Sequence, residues 1–238
     1  MIRAVARLAA LAFSSVPSLA AGPSFDCTAA LAADENAICT SPELSEMDLM
    51  IEEAYRGYNP EFGDAREIAR ALLADRRACG DDIACIGAAL YNALDTFDGI
   101  SAVLAWVPRY VEALLLRKAS NEYAVLPPNT DQAMPKHLGQ CAATQIRSLT
   151  DRTGKPLAEA EAYSGTVVEF TNGGSQVSYG SEPALLGSAV GHQVSVCLIA
   201  IPRDCPKGDD RGRLYLGINH YTQGTWLLSD TQHMCGGA

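Results

Sequence analysis

The stretch SPELSEMDLMIEEAYRGYNP, residues 41–60, carries the signals of an amphipathic helix and decides how the first half of the chain folds. Ser41 is a suitable N-cap, and Pro42 suits the first helical turn because that turn needs no backbone N–H. Apolar residues then recur at helical spacing, at Leu44, Met47, Ile51, Ala54, Tyr55 and Tyr58. Asn59-Pro60 ends the pattern. The stretch therefore predicts a helix with one apolar face against a core.

Three further helices are predicted on the C-terminal side of this stretch. Asp64 to Ala78 and Ile83 to Phe97 both place apolar residues at helical spacing. Ile100 to Leu116 is apolar and is also predicted to be helical, with Pro108 kinking or dividing it. The first half of the chain is therefore expected to be a helical domain.

The second half changes to the period of two that is typical of strands. GTVVEF at residues 165–170 and SQVSYG at 175–180 flank the turn TNGG, and this pattern predicts a β-hairpin. Further strands are expected at Val194 to Ile201, Arg213 to Ile218 and Thr225 to Leu228. The sequence thus indicates an α+β fold in two domains, with a small antiparallel β-sheet or barrel in the C-terminal one.

The chain is expected to divide into four parts. Residues 1–21 place two arginines ahead of a short apolar run and small residues, which is typical of a secretory signal peptide. A helical domain at 22–118, a proline-containing linker at 119–137 and a disulfide-stabilised β-rich domain at 138–238 follow. No later segment is apolar over the length of a membrane anchor. The mature protein is therefore expected to be periplasmic or secreted.

Eight cysteines in an exported chain favour structural disulfides over free thiols or a metal site. They are Cys27, Cys39, Cys79, Cys85, Cys141, Cys197, Cys205 and Cys235. The sequence has no CxxC pair, which argues against zinc and against a thioredoxin-type motif. Four cysteines lie on each side of the linker, and four allow three pairings. In the second half, Cys141 and Cys235 could join the ends of the domain, and Cys197 and Cys205 could brace a strand against a loop.

Acidic residues outnumber basic ones, with 28 Asp and Glu against 18 Lys and Arg, and they are concentrated in the first half. This balance argues against nucleic acid, whose phosphates need basic patches, and is compatible either with a cationic protein as partner or with a role in solubility alone. The candidate partner-binding residues are the glutamates of the 41–60 helix, namely Glu43, Glu46, Glu52 and Glu53. Asp48 lies beside the apolar stripe instead, and Arg76 of the next helix is the candidate for a structural ion pair with it.

No motif for catalysis or for metal binding stands out in the sequence. HExxH, GxSxG and P-loop patterns are absent. The histidines His137, His192, His220 and His233 are scattered, and Asp209-Asp210 lacks the spaced carboxylates of a calcium loop. We therefore expect a non-catalytic protein that uses neither a metal nor another cofactor.

A set of residues in the first half carries a family resemblance: Phe25-Asp26-Cys27, Glu35, Ile38-Cys39, Pro42-Glu43-Leu44, Asp48, Tyr55, Arg76-x-x-Cys79 and Cys85 to Tyr91. Over about residues 24–98 the chain resembles the N-terminal domain of LprI-type lysozyme inhibitors. The resemblance implies a helical, disulfide-stapled domain of the bacterial envelope, with a lysozyme as the cationic partner. In the second half, CLIAIPRDCPKGDDRGRLY at 197–215 and SDTQHMCGG at 229–237 resemble an uncharacterised β module that occurs together with such domains, and this implies no activity.

Three functions are compatible with these features. The first is an exported non-catalytic binding protein that inhibits a lysozyme through an acidic helical surface. The alternative is a periplasmic envelope interaction module that binds an unknown partner, through an exposed strand edge of the β domain, without inhibiting lysozyme. The third is a small hydrolase of an unrecognised kind, which would need carboxylates or histidines to cluster in the folded protein.

Overall fold

Helices form the N-terminal part of the protein and strands form the C-terminal part. The computed structural model describes residues 22–59, 61, 63–98, 106–159, 164–203 and 205–237. The predicted signal peptide, residues 1–21, lies outside the described residues. The helices of the first part are α1 Ala33–Thr40, α2 Pro42–Gly57, α3 Ala65–Ala78, α4 Ile83–Asp98 and α5 Trp106–Ala124.

Polar side chains cap the first turns of the helices. Ser41 Oγ accepts a hydrogen bond from the backbone N–H of Leu44 at 3.3 Å, at the start of α2. The Asp64 carboxylate accepts hydrogen bonds from the backbone N–H groups of Arg66 and Glu67, at the start of α3. These caps satisfy N–H groups that have no partner within their own helix. The helices predicted from residues 41–60 and at 64–78 and 83–97 are confirmed as α2, α3 and α4.

Helix α5 extends beyond its predicted C-terminal end. The predicted segment 100–105 lies outside the described residues. Pro108 does not divide α5 over the described residues, since the helix is continuous from Trp106 to Ala124. The helix then continues to Ala124, because Leu115 and Ala119 keep an apolar stripe buried against the core. Residues 119–124 of the predicted linker are therefore helical.

Antiparallel strands close into a barrel in the order β1-β2-β3-β6-β5-β4. The strands are β1 Cys141–Thr150, β2 Thr166–Phe170, β3 Ser175–Ser178, β4 Gln193–Ala200, β5 Leu214–Asn219 and β6 Thr225–Ser229, with a 3₁₀ turn at Leu157–Glu159 and a short helix α6 at Pro183–Leu186. The predicted hairpin is confirmed as β2–β3. The pairings of β1 with β4 and of β3 with β6 close the barrel. The expected exposed strand edge is wrong, because a closed barrel pairs both edges of its sheet.

One hydrophobic core joins the helical part to the barrel. Leu90 of α4 and Leu115 of α5 belong to the same buried cluster as Val196 and Leu198 of β4. A hydrogen bond of 2.8 Å from the backbone N of Ile201 to Oδ1 of Asn92 adds a polar contact between the two parts. The α+β fold predicted from the sequence is thus confirmed, and its helical and barrel parts pack on a common interior.

The eight cysteines form four disulfides, as predicted, but the pairing within the barrel differs from the expectation. The bonds are Cys27–Cys39, Cys79–Cys85, Cys141–Cys197 and Cys205–Cys235. Cys141 and Cys197 lie directly opposite each other on β1 and β4. The expected pairs Cys141–Cys235 and Cys197–Cys205 are therefore wrong, because the pairing of β1 with β4 places Cys141 against Cys197.

Candidate functional site

A pocket of about 320 Å³ opens between the N-terminal segment and helices α2, α3 and α4. Its lining is mostly apolar and includes Ile51, Tyr55, Leu72, Leu73, Leu90 and Phe97. The polar part of the lining comes from Ser24, Glu35, Asp48, Glu52 and Arg76. A concave and largely apolar surface with a few polar groups is the form that small-ligand sites take in proteins.

Arg76 of α3 lies among three carboxylates, two of which, Glu35 and Asp48, line this pocket. Its Nε donates to Asp34 Oδ2 at 2.8 Å, and its Nη1 donates to Asp48 Oδ1 at 3.2 Å. Its Nη2 lies 3.8 Å from Glu35 Oε1. The side chains of Arg76 and Asp34 are only 11% and 2% exposed. The structure thus brings Asp48 and Arg76 together, in an environment where an unpaired charge would be costly.

The Asp48 carboxylate also fastens the N-terminal segment to α2. Its Oδ2 accepts hydrogen bonds from the backbone N and from Oγ of Ser24, at 2.8 and 2.6 Å. The centroid of the next side chain, the Phe25 ring, lies 5.9 Å from the guanidinium carbon of Arg76. The Cys27–Cys39 disulfide then ties the segment to α1. One wall of the pocket is therefore held by a covalent bond and by charge-assisted hydrogen bonds.

Asp34 is the residue of this cluster that the sequence analysis missed. It lies in the first turn of α1, where acidic residues ordinarily face solvent and stabilise the helix dipole. In this protein it is buried, as is Ile38 four residues later on the same helix face. The position of Asp34 four residues before the apolar Ile38 is the sequence feature that indicates its burial.

The four glutamates predicted to bind a partner lie on α2 but not on one face of it. Glu43, Glu46 and Glu53 are exposed, and at 100° per residue they fall within about 80° of one another around the helix. We call these three residues the acidic face. Glu52 lies about 100° from Glu53 around the axis, lines the pocket, and pairs with Arg56 at 2.8 Å.

A serine–histidine pair lies between α5 and the barrel. Ser195 Oγ and His220 Nε2 are 2.8 Å apart, and the His220 ring stacks on Tyr123 with 3.7 Å between the centroids. Burial lowers the pKa of His220 below its ordinary value. Because Ser195 is only 3% exposed, its hydroxyl has no access to a substrate, and the pair contributes to the packing of α5 on the barrel.

The other residues considered for metal binding or catalysis are exposed or make local contacts of their own. His192 Nδ1 accepts a hydrogen bond from the backbone N of Ala189 at 3.2 Å, while His137 and His233 are exposed. Hydrogen bonds from the Arg211 guanidinium hold the pKa of Asp209 well below its ordinary value. Within the described ranges, no three His, Cys, Asp or Glu side chains are grouped so as to hold a metal ion.

No family model, no curated protein and no solved structure matches the chain. The four disulfides are consistent with an extracellular or periplasmic protein. In the part of the chain that the structure describes, no helix is both long and apolar enough to cross a bilayer. What the pocket and the acidic face bind must follow from their own charge and shape.

Proposed function

We propose that the protein is an exported, non-catalytic binding protein that inhibits a lysozyme through the acidic face of α2. One observation carries the proposal. Glu43, Glu46 and Glu53 are exposed on a single ridge of the helix. None of the ion pairs formed among the described residues includes any of the three.

An acidic ridge of this kind attracts a cationic protein. Glu46 and Glu53 are seven residues apart, which places them about 10.5 Å from each other along the helix axis. That separation allows them to meet different basic residues of the partner. Exposed charges of this kind mainly increase the rate of association. The interaction should therefore weaken as ionic strength rises.

Three further features support a lysozyme as the cationic partner. Residues 24–98 resemble the N-terminal domain of LprI-type lysozyme inhibitors. The disulfides Cys27–Cys39 and Cys79–Cys85 constrain the helical part, so that the acidic face is presented with little conformational entropy left to lose on binding. Residues 1–21, if removed as a signal peptide, would deliver the protein to the compartment in which lysozyme acts.

The proposal is tested by titrating the oxidised protein against a c-type lysozyme at low and at physiological ionic strength. We expect stoichiometric inhibition that weakens with salt. Glu46→Lys/Glu53→Lys should weaken inhibition by about tenfold or more, which corresponds to about 1.4 kcal/mol. The control Asp81→Lys/Glu159→Lys makes the same change in net charge at two exposed residues away from α2 and should inhibit as the wild type does.

Absence of inhibition at micromolar protein would reject lysozyme of this class as the target. Equal losses in the two charge-reversed variants would reject the acidic face as the binding surface, because net charge alone would then account for the effect.

A periplasmic envelope interaction module with an unknown partner is the second candidate, and one observation favours it. Leu186, Val190 and Tyr221 are 56%, 65% and 79% exposed. Their loops are joined by Asn219, whose Nδ2 donates to Ser188 Oγ at 2.8 Å. Apolar residues exposed together favour a protein contact. Such binding would survive Glu46→Lys/Glu53→Lys and fail in Leu186→Asp/Tyr221→Asp, with Val125→Asp as an exposed apolar control.

A further inference from the structure

We propose that the pocket between the N-terminal segment and helices α2, α3 and α4 binds a small organic cation, with a guanidinium or ammonium group on an apolar body. This binding is separate from the acidic face and does not depend on lysozyme inhibition. The charges of the lining point to it, because among its described residues Glu35, Asp48 and Glu52 face the pocket with a single cation, Arg76. A cleft lined by an excess of one charge concentrates ligands of the opposite charge.

The bonding of Arg76 selects against an anionic ligand. Its Nε, Nη1 and Nη2 already face Asp34, Asp48 and Glu35, at 2.8, 3.2 and 3.8 Å. An anion that approached the remaining N–H groups of this guanidinium would lie close to these carboxylates and be repelled by their charge. Displacing Asp34 instead would leave a carboxylate that is only 2% exposed without its cation, which is strongly unfavourable.

Glu52 provides the carboxylate that a cation can reach. Its side chain is 38% exposed, and that of its partner Arg56 is 74% exposed. An ion pair this exposed contributes little to stability, so Arg56 can give way to the cationic group of a ligand at small cost. Glu35, whose Oε1 is 3.8 Å from Arg76, adds a second negative charge to the lining.

The apolar wall of the pocket suits the body of such a ligand. Tyr55 and Phe97 meet edge to face with 5.6 Å between ring centroids, and both line the pocket beside Leu72. Aromatic rings cover hydrocarbon and also attract cations. The volume of about 320 Å³ lies at the lower end of the range of ligand sites. An aromatic or branched monocation is therefore the class of ligand that fits.

Benzamidine is the probe that tests this inference, because it joins a cationic amidinium group to an aromatic ring. Calorimetric titration of the full oxidised chain at low salt should give saturable binding with a Kd of about 1 mM or below. Benzamide has nearly the same shape without the charge, and it should bind about tenfold more weakly or worse. Benzoate, which carries the opposite charge, should not bind.

Variants of adjacent residues locate the binding. Glu52→Gln should weaken the binding of benzamidine about fivefold, since it removes the accessible carboxylate. Glu53→Gln is the matched control, because it removes the same charge from the acidic face and should change the Kd less than about twofold. Ala69→Leu places a larger side chain into the pocket from α3 and should abolish binding. If Ala69→Leu fails to fold, the comparison of Glu52→Gln with Glu53→Gln decides whether benzamidine binds in the pocket.

Three binding results would each overturn the inference: equal affinity for benzamidine and benzamide, equal effects of the two glutamine variants, or unchanged binding in folded Ala69→Leu. Lysozyme inhibition should persist in saturating benzamidine, with lysozyme alone as the control. If saturating benzamidine abolished inhibition, the pocket would hold a basic side chain of the lysozyme rather than a free small molecule, and the inference would also be overturned. If the protein inhibits no lysozyme, the benzamidine result stands unaffected, so the two proposals fail separately.

Discussion

The Trp226 ring occupies the space in which any residue larger than glycine at position 217 would place its Cβ. The two residues lie directly opposite each other on β6 and β5, and an ideal Cβ on Gly217 would lie 2.1 Å from Cε2 of Trp226. Trp226 Nε1 donates to Oε1 of Gln176 at 2.9 Å. The Nε2 of Gln176 donates to the carbonyl oxygens of Tyr215 and Leu228. Gly217 thus allows a buried side chain of β3 to bridge to β5 and β6.

Gly217→Ala should lower the free energy of unfolding by about 3 kcal/mol, because the methyl group displaces the indole and strains the hydrogen bonds of Gln176. Urea unfolding followed by tryptophan fluorescence measures the change. Gly57→Ala is the control, since a Cβ at that position meets nothing within 4 Å, and its stability should stay within about 0.5 kcal/mol of the wild type. Equal stabilities of the two variants would contradict the expected clash.

Arg76→Met should lower the free energy of unfolding by about 3–5 kcal/mol, because it leaves the carboxylates of Asp34 and Asp48 in a largely buried site without their cation. Chemical denaturation at neutral pH measures this loss. Arg77→Met removes the same charge from an exposed position on the same helix and should cost less than about 0.5 kcal/mol. A loss below about 1 kcal/mol for Arg76→Met would show that the cluster relaxes or admits water.

The disulfides should contribute unequally to stability. Cys141–Cys197 joins residues 56 positions apart, whereas Cys79–Cys85 joins residues 6 apart. On the chain-entropy estimate, Cys141→Ala/Cys197→Ala should cost about 4 kcal/mol and Cys79→Ala/Cys85→Ala about 2 kcal/mol. Denaturation of both variants measures the difference. Peptide mapping without reduction tests the pairing itself, and a Cys141–Cys235 peptide would contradict the structure.

Protonation of His220 should account for part of the fall in the free energy of unfolding in acid. Burial lowers the pKa of this side chain in the folded protein below its ordinary value of 6.5, so the unfolded chain binds the proton more tightly. The contribution of neutral His220 is therefore complete above about pH 6.5, and it is lost as pH falls through the folded pKa. The slope is at most about 1.4 kcal/mol per pH unit.

Denaturation of the wild type and of His220→Gln between pH 7.5 and 5 isolates this contribution, because the other titrating groups are common to both. The wild type should lose more stability than the variant over this interval. The exposed His233→Gln should follow the wild type. A parallel decline of His220→Gln and the wild type would rule out His220 as the source.

The elements that local signals define could be predicted from the sequence. Ser41 and Asp64 act on N–H groups within one turn, and the apolar spacing of α2 to α4 repeats over a few turns, so residues close in sequence contain the information. The β2–β3 hairpin follows from its turn in the same way. Gly173 in that turn has a φ of 86°, which favours glycine.

Features that depend on distant residues could not be predicted. Strand β1 is rich in small and polar residues and gives little strand signal of its own. Its position comes from pairing with β2 and β4, for example Ile146 with Phe170 and Ala142 with Val196. The wrong disulfide expectation has the same origin, because Cys141 lies on β1. The burial of Asp34 likewise depends on Arg76, 42 positions away.

The core shared by α4, α5 and β4 bears on how the gene can recombine. A break in the coding sequence between α5 and β1 would separate Leu90 and Leu115 from Val196 and Leu198. Each product would then expose an apolar surface of the kind that promotes aggregation. A genome that acquired the coding region for only one part would encode a defective protein. We therefore expect the coding regions for the helical part and the barrel to be transferred together.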